Sequence, residues 1–110
     1  MDANKNLPRF TMHNLAIHFG GGGSSDHSDQ YPKMTKEQYA QRAHELVCSP
    51  INENVQGYTA TKGRNIGSVV RYDIKNNDWV RGFDSEIYTM FKPDDKLAYY
   101  EKIKDYETGS

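Results

Sequence analysis

The feature that most constrains the fold is the run "SVVRYDIKNNDWVRGF", two strand-like segments joined through a pair of asparagines. In the first segment Val70 and Tyr72 alternate with Arg71 and Asp73, the period-two pattern of a strand with one face in a core. Asn76 and Asn77 offer a turn short enough to fold the second segment straight back as an antiparallel hairpin. "GYTAT" precedes this hairpin across the turn "KGRN", and "EIYTMF" follows it after "DS". Four short strands linked by tight turns predict an antiparallel meander, and Pro93, which has no backbone donor, ends the last of them.

Helices are expected before and after the strands in the chain, with the first covering one sheet face and the other face or its rim left free for a site. "TKEQ" has the form of a capping box, with Thr35 as N-cap and Gln38 reaching back. After it Tyr39, Ala43, Leu46 and Val47 share one helical face, while Lys36, Glu37, Gln41, Arg42 and Glu45 face water and His44 decorates the helix surface. The helix stops before Pro50. "PDDKLAYYEKIKDYE" predicts a short C-terminal helix with acids at its start and Leu97, Tyr100, Ile103 and Lys104 at helical intervals. "LAIHF" fits one turn of helix or a short strand, and Gly20 to Ser25 read as a flexible joint. The expected architecture is α+β: N-terminal helices on a four-stranded antiparallel sheet, then the short C-terminal helix. Residues 1–14 read as a linker or arm, 15–107 as the domain and 108–110 as a tail.

The chain has 110 residues, enough for one domain, and only 35% of them are hydrophobic. Its net charge of −1 excludes a polybasic wrap around long duplex. Charge is uneven, however. Between Tyr58 and Phe83 lie Lys62, Arg64, Arg71, Lys75 and Arg81 against only Asp73 and Asp78, a local basic face suited to a compact anionic ligand. Cys48 is the only cysteine, which excludes an intrachain disulfide and Cys-pair zinc sites. No apolar run is long enough to span a bilayer, so no membrane association is expected of this domain. No cofactor is expected either.

The chemistry-bearing residues are few. Cleaving a ribose phosphodiester without metal takes a base for the 2′-hydroxyl, an acid for the leaving oxygen, and donors or cations for the crowded phosphate. His27, in "SSDHSDQ", is the first candidate for the proton role because imidazole titrates near neutrality. Asp26 is its candidate orienter and His18 a second candidate imidazole. Arg71, Thr89 and Lys92, carried on two strands, are candidates to hold the phosphate. Trp79 and Tyr58 are candidates to stack on a base. Asp26 and Asp29 beside His27 lack a recognisable metal-ligand spacing, so no metal site is expected.

Three word-like stretches raise this preference. "DHSDQYPKMTKEQYAQRAHELVCSP", "GYTATKGRNIGSVVRYDIKNNDWVRGF" and "IYTMFKP" together resemble the C-terminal toxin domains of bacterial polymorphic and contact-dependent growth-inhibition proteins. The branch they resemble is the barnase–EndoU–colicin–RelE group of small metal-independent ribonucleases. The resemblance covers roughly His18 to Lys92. It implies that His27, Arg71, Thr89 and Lys92 are catalytic, with His18 matching a looser "HF" element. The spacer "GGGGSSD" between the two histidine elements departs from the family pattern. Membership would imply RNA as substrate, usually tRNA, and a cognate immunity protein as partner. It would also imply residence at the C-terminal end of a secreted or cell-surface effector, delivered into the cytoplasm of a target bacterium. Two readings compete: a non-catalytic module holding RNA or protein through Trp79, Tyr58 and the basic face, and a toxin acting on DNA with the help of metal.

Overall fold

The capping box forms as its spacing indicates. Thr35 Oγ1 accepts from the Gln38 amide at 3.1 Å and Gln38 Oε1 accepts from the Thr35 amide at 2.9 Å, which opens helix α2 (Lys36–Val47). The computed structural model describes residues 9–23, 26–83 and 86–109. Around α2 it arranges α1 (Met12–His18), a 3-10 turn (Ser28–Gln30), strands β1 (Val55–Thr59), β2 (Val69–Asp73), β3 (Asp78–Phe83) and β4 (Glu86–Phe91), and α3 (Leu97–Thr108). The strands pair antiparallel in the order β1-β2-β3-β4. This is the α+β meander that the sequence predicts.

Alternation along the strands sorts side chains onto two faces, and directly opposed residues share a face. On one face Val55, Val80, Ile87 and Met90 pack against Tyr39, Ala43, Leu46 and Val47 of α2. On the other, Tyr58, Val70, Tyr72 and Trp79 pack against Tyr100 of α3, with the Tyr72 and Tyr100 rings stacked at 5.6 Å. Each face has its own core.

β4 is an edge strand, and the N-terminal segment covers its free side. Arg9 pairs with Glu86 and accepts from the Ile87 amide at 2.8 Å. Asn14 Nδ2 donates to the carbonyls of Ile87 and Tyr88 at 3.0 and 3.3 Å. The Tyr39 hydroxyl bonds the backbone of Met90, and the Gln30 amide bonds both backbone groups of Lys92 at 2.8 and 2.9 Å. Residues 9–14, expected as part of an arm, are therefore docked. The remainder of that stretch, together with Ser24, Ser25, the "DS" link and Ser110, lies outside the described residues.

Three local expectations need correction. α3 starts at Leu97, with no acid in its first turn, because Lys96 at φ 54° breaks the helical path and leaves Asp94 and Asp95 outside it. His44, expected on the water side of α2, is buried, with Nδ1 at 3.9 Å from Cys48 Sγ. Arg42, likewise expected in water, turns back to the sheet, pairing with Asp73 and, at 3.3 Å, with Asp78. None of the described helices is long and apolar enough to cross a membrane.

α3 is fastened by charge. Arg81 on β3 pairs with both carboxylate oxygens of Glu107 at 3.0 and 2.9 Å, and donates to Ser68 Oγ at 2.7 Å. The Tyr58 hydroxyl donates to Glu107 at 2.7 Å. All four side chains are buried, so removing one charge strands the other in a dry site. Glu107→Ala is expected to lower unfolding free energy by about 3–5 kcal/mol, measured by urea denaturation. The double variant Arg81→Met with Glu107→Leu recovers most of that loss. A single variant indistinguishable from the parent would show that the pair carries none of the attachment.

Candidate functional site

Three of the chemistry-bearing residues, His18, His27 and Thr89, meet beside β4. α1 ends at His18 because the chain turns there into the glycine-rich joint, and His27 returns beside it, its amide donating to the His18 carbonyl at 2.8 Å. The two imidazole rings stack at 5.8 Å with an interplanar angle of 19°. His18 Nδ1 lies 3.3 Å from Thr89 Oγ1, and the His27 ring stacks on Phe91 at 5.2 Å. Thr89 and Phe91 alternate with Met90, so both stand on the α3 face of the sheet, opposite Arg81 and Trp79. His18, His27 and Thr89 thus form one cluster, half-buried at the rim of that face.

Asp26 holds the joint through its backbone. Its carboxylate accepts from the amides of Gly20, Gly22 and Ser28, each at 2.9 Å. The Gly20 bond contributes most, and together these donors hold the carboxyl well below the usual carboxylate range. A segment of glycines is in this way pinned to one anion, and His27 is the next residue along. The expected orienter acts through the backbone.

Burial depresses the pKa of His27 below its ordinary 6.5, and the nearby charge of His18 lowers it further, against a smaller opposing effect of Asp26 and Asp29. Stacked imidazoles resist holding two protons at once. At neutral pH His27 is therefore a neutral imidazole, able to accept a proton.

The other expected phosphate ligands lie elsewhere. Arg71 is opposed by Val80 and Gly57, which puts it on the α2 face. Its guanidinium crosses β1 and donates to the carbonyls of Ser49 and Val70 at 3.0 Å each. Gly57 makes the crossing feasible, since a Cβ there would sit 2.5 Å from the guanidinium. Lys92 Nζ donates to the Asn76 carbonyl at 2.8 Å and pairs with Asp78 at 2.9 Å, above the Tyr31 ring. The sheet separates these two cations from the histidines, because residues of opposite parity on a strand face opposite ways. Nor are Trp79 and Tyr58 open for stacking: both are buried beneath α3.

Arg81 is the residue that sequence reasoning passed over. The alternation used for Arg71 applies equally in "DWVRGF", and it puts Arg81 directly opposite Thr89. Only the pairing register, which the sequence does not state, distinguishes the two arginines. Among the described residues, no group of three or more His, Cys, Asp or Glu is arranged to hold a metal ion.

A lowered histidine pKa has a definite sign in the stability of the protein. The unfolded chain takes up the proton first, so stability falls as pH drops below about 6.5 and levels out below the folded-state pKa. By NMR titration of the imidazole protons, His27 is expected to titrate below 6.5, and in His18→Ala its midpoint is expected to rise. A midpoint that His18→Ala leaves unchanged would mean that the two rings are not coupled.

No family model and no curated protein matches the chain.

Proposed function

We propose that the protein is a metal-independent ribonuclease of the toxin type, working through His18, His27 and Thr89. The observation that carries the reading is the stacked imidazole pair at 5.8 Å with the Thr89 hydroxyl at 3.3 Å from one ring. Such a pair supplies both proton transfers that the reaction needs. Neutral His27 takes the 2′-hydroxyl proton, the freed oxygen attacks phosphorus, and the P–O5′ bond breaks as His18 gives its proton to the departing 5′-oxygen. The products are a 2′,3′-cyclic phosphate and a 5′-hydroxyl. Thr89 donates to a phosphate oxygen and the protonated imidazole balances the charge that builds there. In this reading Arg71 and Lys92 act on the fold, and their assignment to the phosphate gives way to the histidines.

The substrate class, a tRNA, and the setting, a domain delivered into a target bacterium and blocked by a cognate immunity protein, rest on the sequence words alone. Of the features the competing non-catalytic module would use, Trp79 and Tyr58 are covered by α3, which leaves it the basic face.

His18→Ala and His27→Ala are each expected to slow cleavage of an oligonucleotide containing a single ribose by about 100- to 10,000-fold. Mass spectrometry is expected to find the cyclic phosphate, and chelator to leave the rate unchanged. An all-deoxy strand is expected to survive intact. Cleavage that persists in both variants would dismiss this assignment, and loss of activity on chelation would favour a metal-assisted nuclease in its place.

A further inference from the structure

On the same sheet face, next along β4, lies a second feature that proton transfer does not use. The pairing of β3 with β4 slips between Arg81 and Gly82: Arg81 opposes Thr89, whereas Gly82 opposes Ile87. Tyr88 is therefore an extra residue, a bulge. Bulges re-aim side chains that a regular strand would send to the opposite face. Tyr88 here stacks on Phe83 at 6.4 Å and 24°, and Phe83 shares its parity, and so its sheet face, with Arg81 and Trp79. Tyr88 and Thr89, consecutive in sequence, thus both work on the α3 side.

Around this pair is a groove of about 120 Å³, lined by Arg64, Asn65, Ile66, Ser68, Phe83 and Tyr88. Phe83 is 42% exposed and Ile66 59% exposed, a poor use of apolar surface unless something covers it. The aromatic pair is loose, at the long end of ring–ring separations. The loop between β1 and β2 is shaped to leave the Phe83 ring where it is. Gly67 has φ +88°, and a Cβ there would meet the ring at 2.8 Å. Ser68, at the floor, is held by Arg81. Arg64 adds a cation to the lining, and Asn65, whose Nδ2 donates to Glu107 at 3.4 Å, adds its amide oxygen.

We propose that this groove is a nucleobase subsite, binding one unpaired base of RNA on the Phe83–Tyr88 rings with Arg64 and Asn65 at its polar edge. The inference rests on the ribonuclease reading and deepens it. Flat aromatic surface with a guanidinium beside it is what single-stranded nucleic acid binds, whereas a duplex presents no free base face. The volume admits one base and not a stacked pair. Because Tyr88 adjoins Thr89 in the chain, a base seated here has its own phosphate at the histidine pair. The substrate is accordingly an unpaired stretch, such as a loop or an end.

The test separates binding from cleavage. A 2′-O-methyl trinucleotide, which cannot be cleaved by 2′-hydroxyl attack, is titrated into the uniformly labelled protein and followed by NMR. The expected result is shift changes at Arg64, Asn65, Phe83 and Tyr88. Phe83→Leu, which keeps apolar bulk, and Arg64→Ala are each expected to weaken binding about fivefold to a hundredfold, the range for one stacked base. Shifts confined to other surfaces, or affinities equal to the parent in both variants, would overturn the subsite. If the trinucleotide binds at the groove but RNA with a free 2′-hydroxyl is never cut, the subsite stands and the ribonuclease reading falls. If RNA is cut normally by both variants, the subsite falls and the ribonuclease reading stands.

Discussion

The unpaired edge of β4 is the constraint on which the rest of the molecule turns. An edge strand presents backbone donors and acceptors that must find partners or water. In this chain they find partners from far away in sequence: Arg9, Asn14, Gln30 and Tyr39 together reach backbone groups of Ile87, Tyr88, Met90 and Lys92. The N-terminal third of the domain is fixed by that requirement. His18 and His27 are carried to β4 by the same segment, so the cluster at Thr89 is a consequence of sealing the sheet. A hydrogen-bonding need of the fold has in effect chosen the address of the site.

The two faces of the sheet have taken different electrostatic tasks. On the α2 side Asp73 and Asp78 are buried together, and Arg42 and Lys92 neutralise them while Asn54 and Asn76 satisfy remaining lone pairs of Asp73. This network closes the turn between β2 and β3 against α2. On the α3 side the charged pair Arg81–Glu107 fastens a helix. The paired cations in both places are thus structural, and the groups left at the rim are imidazoles and a hydroxyl. A rim of that composition can exchange protons, and it carries less fixed positive charge than a phosphate site usually gathers.

How far the sequence disclosed this differs from element to element for physical reasons. α2 was legible because "TKEQ" is a local signal and both partners of its capping box lie within four residues. The meander was legible because period-two alternation and "KNND" are also local. Membership of a face, by contrast, depends on register, and a shift of one residue exchanges the faces. Arg71 and Arg81 each follow a valine in a strand, Val70 and Val80, and nothing local marks which of them stands with Thr89. Glu107 was equally hidden. On a helix of mixed polarity a glutamate reads as solvated, and only Arg81, 26 residues away, makes its burial tolerable. His44 is buried for a similar reason, since one helical position more or less decides between water and core.

The glycine joint shows how a segment with little intrinsic order acquires a defined geometry. Four consecutive glycines, Gly20 to Gly23, cost more conformational entropy to fix than any other residues would. Asp26 offsets that cost by gathering three amides onto one carboxylate, a concave arrangement in which backbone N–H groups converge on an anion. With these donors committed to Asp26, they are withdrawn from any phosphate approaching His27, so the joint positions the imidazole and leaves charge compensation to the rings. The same bonds make protonation of Asp26 difficult, so the joint keeps its shape through the pH range in which His27 titrates. The geometry of the joint is therefore insulated from a change of charge on the neighbouring His27 ring.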